Sequence, residues 1–130
     1  MSKNPVVHFE MPYQDSERVA KFYTDAFGWV MHKLGDELGG YVTAGTAETD
    51  ANHMVKTPGT INGGFYKKNS DAANTNVVIA VTDIQEAMQK VKDAGGEVMD
   101  GPRDIPGIGT YANIRDTEGN RVALLQPKGR

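Results

Sequence analysis

The chain matches itself at an offset of 68 residues, and this internal repeat limits its possible folds more than any other feature of the sequence. The identities at this offset include five in and around the two predicted helices, and four of these five fall within six positions. Identities that recur at a fixed spacing are typical of a duplicated structural unit. The matched pairs are Asp15 and Asp83, Asp25 and Asp93, Ala26 and Ala94, Gly28 and Gly96, and Val30 and Val98.

Each copy begins with a strand that is followed by a helix. The strands are predicted at Val6 to Met11, which Pro12 ends, and at Val77 to Val81. A typical helix cap precedes the apolar residues at helical spacing in each copy. It is Asp15 or Ser16 in the first copy and Asp83 in the second. The two apolar stripes are Val19, Ala20, Phe22, Tyr23 and Ala26, and Ile84, Ala87, Met88 and Val91; Gly28 and Gly95-Gly96 end the helices.

Three strand-like segments follow each helix. The pattern therefore predicts an α+β fold of two βαβββ modules, about 5–68 and 75–127, within one domain of residues 1–130. Asp116 to Asn120 is predicted as a hairpin connection. The six segments are Trp29 to Leu34, Gly40 to Ala44, Ile61 to Lys68, Glu97 to Asp100, Thr110 to Arg115, and Arg121 to Gln126.

Composition excludes several kinds of site. The 130 residues include no Cys and three His, so disulfides, thiolate metal sites and cysteine nucleophiles are excluded, and the lack of Cys agrees with a reducing compartment. The net charge of -3 disfavours a nucleic-acid partner. No segment approaches the roughly 18 apolar residues that span a bilayer, so we expect a soluble, cytoplasmic protein without a membrane partner.

Two polar segments interrupt the pattern. Thr46 to Thr60 is long for a hairpin loop and is expected to be either a lid or a mobile excursion. Gly101 to Gly109 contains two Pro and two Ile, which indicates either a shaped binding loop or a rigid connector.

The order of short motifs along the chain resembles the vicinal oxygen chelate superfamily, which includes glyoxalases, bleomycin-resistance proteins and extradiol dioxygenases. The resemblance covers Pro5 to Gln126 without the Thr46 to Thr60 loop. It depends on His8-Phe9-Glu10, Lys21-Phe22-Tyr23, Phe27-Gly28-Trp29, Asp93-Ala94-Gly95-Gly96 and Asp116-Thr117-Glu118-Gly119-Asn120.

The resemblance implies two curved sheets around one cleft, which in metal-dependent members holds a divalent ion. One residue of the first strand and one of the last strand of each module would bind that ion. The matching positions are His8, Gly63 (within about one residue), Asn76 and Ala123. Of these only His8 is a good ligand, and Glu10 lies roughly 7 Å further along the strand. We therefore expect no metal and no other cofactor, and His32 and His53 are interpreted as surface residues.

Strand alternation then predicts the side chains that face the cleft. They form a mainly apolar wall with a few polar groups, as expected of a small-molecule site. The facing of Tyr41, Tyr66 and Tyr111 stays undecided. The predicted ligand-binding residues are His8, Glu10, Ile61, Phe65, Asn76, Arg121 and Leu125.

Individual roles remain open. His8 is either a ligand-contacting or general-base imidazole, or a strand histidine satisfied by a neighbour. Glu10 is either a base or an exposed or Arg121-paired carboxylate. Trp29 is expected to anchor the core, and Gly63-Gly64 to permit close backbone approach.

Three functions follow. The preferred one is a small-molecule binding protein of the bleomycin-resistance type with a metal-free cleft. The second is an enzyme, either a lyase or isomerase that uses His8 and Glu10 or a metal-dependent glyoxalase or dioxygenase. The third is an interaction subunit with Ile105 to Ile108 as its contact loop. The resemblance also implies a homodimer.

Overall fold

Both copies of the repeat fold as a strand, a helix and three further strands, which confirms the predicted α+β class. The computed structural model describes residues 3–52, 54–70 and 72–128. The chain divides into a first unit, residues 8–75, and a second unit, residues 1–7 and 76–130. No helix among the described residues is long and apolar enough to cross a membrane.

The two helices begin at equivalent caps. In α1 (Ser16–Phe27) the Asp15 side chain accepts a hydrogen bond from the Arg18 N–H at 3.0 Å, and in α2 (Ile84–Asp93) Asp83 accepts one from the Glu86 N–H at 3.1 Å. The caps lie 68 residues apart, as the repeat predicts. Gly28 then ends α1 in the left-handed conformation, with φ 71°, which glycine adopts without steric cost.

The first unit contains a four-stranded sheet. Its strands are β1 (Val6–Tyr13, of which residues 8–13 belong to this unit), β2 (Val30–Lys33), β3 (Val42–Gly45) and β4 (Asn62–Lys67), in the order β2-β3-β4-β1. A 3₁₀ turn, Asp36–Leu38, lies between β2 and β3. The expectation that Pro12 ends β1 was wrong, because the parallel pairing with β4 continues to Tyr13. Proline removes one N–H donor, but its φ is compatible with extended backbone.

The core of the first unit lies between its sheet and α1. Val42, Ala44 and Phe65 are buried there, and Trp29 stacks on Tyr23 with ring centroids 4.6 Å apart. This placement confirms Trp29 as a core residue. The other partly buried members are Phe9, Met11, Tyr13, Val19 and Met31.

The predicted apolar stripe of α1 was too wide. Val19 and Tyr23 pack on the core, whereas the side chain of Phe22 is 56% exposed. Phe22 directly precedes Tyr23, and consecutive residues point about 100° apart around a helix, so the two side chains cannot share one face. Phe22 therefore contributes little to this core and lies on the outer side of the helix.

The second unit repeats the architecture. Its strands are β5 (Asn76–Ala80), β6 (Glu97–Ile105), β7 (Gly109–Arg115) and β8 (Arg121–Pro127), in the order β5-β8-β7-β6, with β5 and β8 parallel. The buried core against α2 consists of Val81, Ile84, Ala112, Ile114 and Leu124.

The predicted loop from Gly101 to Gly109 is mostly strand. β6 continues to Ile105 and pairs with β7, so only residues 106–108 form the turn. The register shifts between Val98 and Asp100 and again between Asp100 and Arg103. Such bulges accommodate Gly and Pro within a strand, which is why a Gly-Pro pair appeared to end it.

The segment from Thr46 to Thr60 forms local contacts where it is described. Thr49 and Val55 form an antiparallel bridge, and the Asp50 side chain accepts hydrogen bonds from the N–H groups of Asn52 and Met54. His53, interpreted from the sequence as a surface residue, lies outside the described residues, whereas His32 is exposed on β2.

Replacing Gly63 by Ala is expected to destabilise the protein by about 1–3 kcal/mol, the usual cost of overpacking. A Cβ atom at this position would lie 2.3 Å from the ring of Phe9, which is itself part of the core. Urea denaturation measures the difference in the free energy of unfolding. Gly45→Ala in β3 is the control, because its nearest contact would be 3.4 Å; equal stability of the two variants would contradict this packing.

Candidate functional site

A polar cluster lies on the face of the first sheet that points away from α1. It consists of His8 and Glu10 on β1 and Tyr41 just before β3. The Tyr41 hydroxyl donates a hydrogen bond to Glu10 Oε2 at 2.9 Å and lies 3.4 Å from His8 Nε2. Glu10 is 6% exposed, so of its three alternatives the exposed carboxylate was wrong, whereas the base and the Arg121-paired carboxylate stay predictions. One hydroxyl therefore lies within reach of an imidazole and a buried carboxylate.

Two adjacent glycines explain how the cluster fits on the sheet. A Cβ atom on Gly64 would lie 2.0 Å from the Tyr41 hydroxyl oxygen, and one on Gly63 would overlap the Phe9 ring on the opposite face. The predicted close approach is thus made by aromatic rings rather than by another backbone segment. Gly64 provides the space in which Tyr41 reaches Glu10.

The register corrects the prediction for β4 by one residue. Asn62 pairs with His8 and Gly64 with Glu10, so these residues share the polar face, whereas Gly63 pairs with Phe9 on the face toward α1. Paired residues on neighbouring strands point to the same side of a sheet. A slip of one position exchanges the two faces of the strand.

Phe65 is consequently misplaced as a predicted ligand contact. It pairs with Met11 and Val42, is 1% exposed, and its ring centroid lies 5.2 Å from that of Tyr23. Ile61 precedes β4, and its carbonyl accepts a hydrogen bond from the Thr46 hydroxyl. Phe65 is a core residue, and Ile61 stays a prediction.

In the second unit the predicted residues lie on the face away from α2. Val78 pairs with Ala123 and Ala80 with Leu125, whereas Ile79 and Leu124 belong to the core against the helix. Alternation places Asn76 and Arg121 on the face of Val78 and Ala123.

Sequence reasoning missed Asn113, which pairs with Ala123 on this same face of the second unit. Asn113 is 1% exposed, and its side-chain NH₂ donates to Asp100 at 3.1 Å. Within residues 3–52, 54–70 and 72–128, the side-chain oxygens of Asn113 and of buried Asn76 accept no hydrogen bond. The position of Asn113 opposite Ala123 is the sequence signal that could have identified it, because β7 and β8 form an antiparallel hairpin.

Burial lowers the pKa of His8, because it disfavours the charged imidazolium. The imidazole is therefore neutral at neutral pH. Because the single hydroxyl proton of Tyr41 is donated to Glu10, Nε2 interacts with this hydroxyl as an N–H donor, in the tautomer that carries the proton on Nε2.

The side chains do not fit the metal centre that the family resemblance implies. No group of three or more His, Cys, Asp or Glu residues that could hold a metal ion occurs in the described part of the chain. On the polar face of β4 the equivalent position is Gly64, which the Tyr41 ring covers, and Ala123 offers no donor. Catalytic zinc and non-haem iron sites use about three protein ligands. The described side chains at these positions therefore supply too few ligands for either kind of centre.

We expect the free energy of unfolding to decrease as the pH falls from 7 to 5, in part because His8 takes up a proton more readily in the unfolded chain. The pKa of His8 is lowered in the folded state. Its contribution to the free energy of unfolding is therefore fully present above a pH of about 6.5, and it is lost as the pH falls through the pKa of the folded state. Glu10 and Tyr41 face it. Denaturation curves for wild type and His8→Gln measure the effect, and an equally steep pH dependence in both would contradict it.

The Tyr41→Phe variant is expected to be less stable by about 1–3 kcal/mol at pH 7, because a buried carboxylate loses a hydrogen-bond donor. Tyr66→Phe is the control, since that hydroxyl donates to the Asn74 carbonyl at an exposed site. Chemical denaturation measures the free energy of unfolding of both variants and so compares the loss of the buried hydrogen bond with the loss of the exposed one. A smaller loss for Tyr41 than for Tyr66 would show that the Glu10 contact contributes little.

Comparison with known proteins identifies the family. The model of the Glyoxalase/Bleomycin resistance protein/Dioxygenase superfamily matches residues 6–124. The anthracycline biosynthesis protein DnrV of Streptomyces peucetius is 30% identical over 122 residues, which are 89% of this chain and 44% of that protein. This chain therefore spans less than half the length of that relative. A probable lactoylglutathione lyase of Vibrio parahaemolyticus is 25% identical over 130 residues, covering 98% of this chain and 94% of that protein.

Solved structures show the same fold. A variant of Streptomyces coelicolor methylmalonyl-CoA epimerase in complex with 2-nitronate-propionyl-CoA has a TM-score of 0.70 at 14% identity, covering 98% of this chain and 100% of that one. The epimerase of Mycobacterium tuberculosis has a TM-score of 0.60 at 16% identity, covering 94% and 87%. The chain belongs to the glyoxalase, bleomycin resistance protein and dioxygenase superfamily.

Proposed function

We propose that the protein binds a small organic molecule, without a metal ion, on the strand face that carries His8, Glu10 and Tyr41. The observation that carries this proposal is the Tyr41–Glu10 hydrogen bond of 2.9 Å to a carboxylate that is only 6% exposed. Burial of a carboxylate is costly, and Glu10 lies on the face away from the hydrophobic core. Buried ionisable groups outside the core are frequent at binding sites.

The chemistry of the cluster restricts the ligand. A carboxylate and a neutral imidazole both accept hydrogen bonds, so the ligand should present hydroxyl or N–H donors. The ring of Tyr41 provides an apolar surface beside them. A ring compound with polar substituents satisfies both conditions, and the relative's printed role in anthracycline biosynthesis supports the inclusion of such compounds in a screen. Ile61, Asn76, Arg121 and Leu125 stay predicted ligand contacts, to be tested one by one.

A second candidate is proton transfer, as in a lyase or isomerase. The observation that favours it is the position of the Tyr41 hydroxyl, 2.9 Å from Glu10 and 3.4 Å from His8. In this function the Glu10 carboxylate removes a proton from the substrate and returns the same proton as the carboxylic acid, and the neutral His8 imidazole is a second potential base on this face. The cytoplasm is the proposed setting for either function, supported by the absence of Cys.

A calorimetric titration tests the binding proposal after a thermal-shift screen of polar ring compounds has found a ligand. Glu10→Gln is expected to weaken binding at least about tenfold, because the neutral amide is a poorer acceptor than the carboxylate. Glu97→Gln, an exposed carboxylate on β6, makes the same charge change and should leave the affinity unaltered. A broad screen without any shift, or equal affinity of wild type and Glu10→Gln, would overturn the proposal.

Protein treated with a chelator is expected to keep this affinity, because the proposed site uses no metal. Elemental analysis of protein purified without an affinity metal gives the independent check. A stoichiometric ion whose removal abolishes binding would contradict the metal-free site. Turnover of the ligand by wild type that His8→Ala or Glu10→Gln abolishes, with folding intact, would favour the proton-transfer function instead.

A further inference from the structure

The hairpin of β6 and β7 is longer than the equivalent hairpin of the first unit. β6 has nine residues, whereas β2 has four. The additional part of β6 includes Arg103, which pairs with Tyr111 on β7. At the repeat offset of 68 the corresponding residues are Gly35 and Thr43. The fold of the repeat therefore requires neither the guanidinium nor the aromatic ring.

Arg103 and Tyr111 lie on the face of the second sheet that points away from α2. Tyr111 pairs with Leu125, whereas the next residues, Ala112 and Leu124, belong to the core against the helix. Paired residues share a face, and consecutive residues of a strand point to opposite faces. The Tyr111 side chain, whose facing the sequence left undecided, therefore lies beside Leu125, a predicted ligand contact.

The guanidinium of Arg103 lies over the ring of Tyr111. Its central carbon is 5.2 Å from the ring centroid, within the range of a cation–π interaction. Arg103 is exposed and Tyr111 is half-buried. The ring therefore restricts the orientation of a charged group that a dissolved molecule can reach.

The two carboxylates nearest to Arg103 along β6 accept hydrogen bonds from β7. Asp100 accepts one from the side-chain NH₂ of Asn113 at 3.1 Å, and Asp104 accepts one from the Thr110 hydroxyl at 3.0 Å. Among the residues that the structure describes, no carboxylate forms an ion pair with Arg103. The N–H donors of this guanidinium are therefore available to a ligand.

We propose that Arg103, Tyr111 and Leu125 form a binding site for an organic carboxylate that carries an aromatic ring. A guanidinium presents two parallel N–H donors, which match the two oxygens of a carboxylate. The ring of the ligand packs on Leu125 and on the edge of Tyr111, which are both half-buried beside the guanidinium. One end of the site thus takes the charge and the other takes the apolar body.

The arrangement favours this class of ligand for two reasons. The Tyr111 ring already holds the guanidinium, so less side-chain freedom is lost when the ion pair forms. The apolar surface of Leu125 next to the charge favours a carboxylate joined to a ring over a small inorganic anion, which remains hydrated.

The site is independent of the function proposed for the first unit. The cluster of His8, Glu10 and Tyr41 takes a group that donates hydrogen bonds, whereas Arg103 takes an anion. The residues of the two sites belong to different units. Failure of one proposal therefore leaves the other intact.

Calorimetric titration with benzoate and with benzamide, its uncharged analogue, is the first test. Wild type is expected to bind benzoate at least about tenfold more tightly than benzamide, and added salt should weaken the binding of benzoate alone. Tighter binding of inorganic phosphate than of benzoate would overturn the assignment to a ring carboxylate. Equal affinities for benzoate and benzamide, or no binding of benzoate, would overturn the site itself.

Variants locate the binding of benzoate. Arg103→Gln should weaken it at least about tenfold, and Arg103→Lys should weaken it less, because the charge remains but the paired N–H donors are lost. Arg103 is exposed, so thermal unfolding should be unaltered. Lys92→Gln, at an exposed position of α2, makes the same charge change and should bind benzoate like wild type.

A further variant separates this site from the first unit. Glu10→Gln should bind benzoate as wild type does, whereas Arg103→Gln should not alter the affinity for a neutral ligand of the first unit. The ring resonances of Tyr111 should shift with benzoate in wild type and stay unchanged in Arg103→Gln. Wild-type affinity for benzoate in Arg103→Gln, or a loss of benzoate binding in Glu10→Gln alone, would overturn the proposal.

Discussion

The first unit depends on two consecutive glycines that let one strand carry an aromatic ring on each face. Gly63 accommodates Phe9 on the face toward α1, and Gly64 accommodates Tyr41 on the opposite face. Neither ring could lie so close to a residue that has a side chain. The core needs the first contact and the polar cluster needs the second, so the hydrophobic packing and the candidate site share one strand segment. A change in β4 would therefore disturb both faces together.

Comparison of the two units distinguishes the residues that the fold requires from those that occur only at the candidate site. Both units keep an Asp cap, a helix packed on one sheet face and a parallel pair between the first and last strands. At the repeat offset, however, His8 corresponds to Asn76 and Glu10 to Val78. The ionisable pair occurs in one copy alone, although both copies support the same fold. The requirements of the scaffold thus do not explain why His8 and Glu10 occur in one copy alone, and this difference supports the proposed binding role of their face.

Much of the fold could be predicted from the sequence, because caps, glycine stops and hydrophobic period are local signals that the repeat supplies twice. The site was harder to predict, since it depends on register. Gly63 and Gly64 have no side chains, so the alternation of polar and apolar residues along β4 does not show which glycine faces the polar cluster. The prediction was wrong by one residue, which placed Phe65 on the wrong face of the strand. Tyr41 follows Gly39-Gly40, where φ is positive at both residues, and its direction depends on a turn that periodicity does not describe.

The Tyr41 contact also explains how a carboxylate can be buried on this strand face. A divalent ion stabilises a buried carboxylate by its charge; a phenol hydroxyl does so by donating a hydrogen bond, at lower strength but without further ligands. The ring that brings this hydroxyl to Glu10 covers Gly64, the β4 position on the same face. The same side chain therefore donates to the carboxylate and fills the space over Gly64. In this chain the polar cluster of His8, Glu10 and Tyr41 is organised around a hydroxyl that lies within hydrogen-bond distance of both other members.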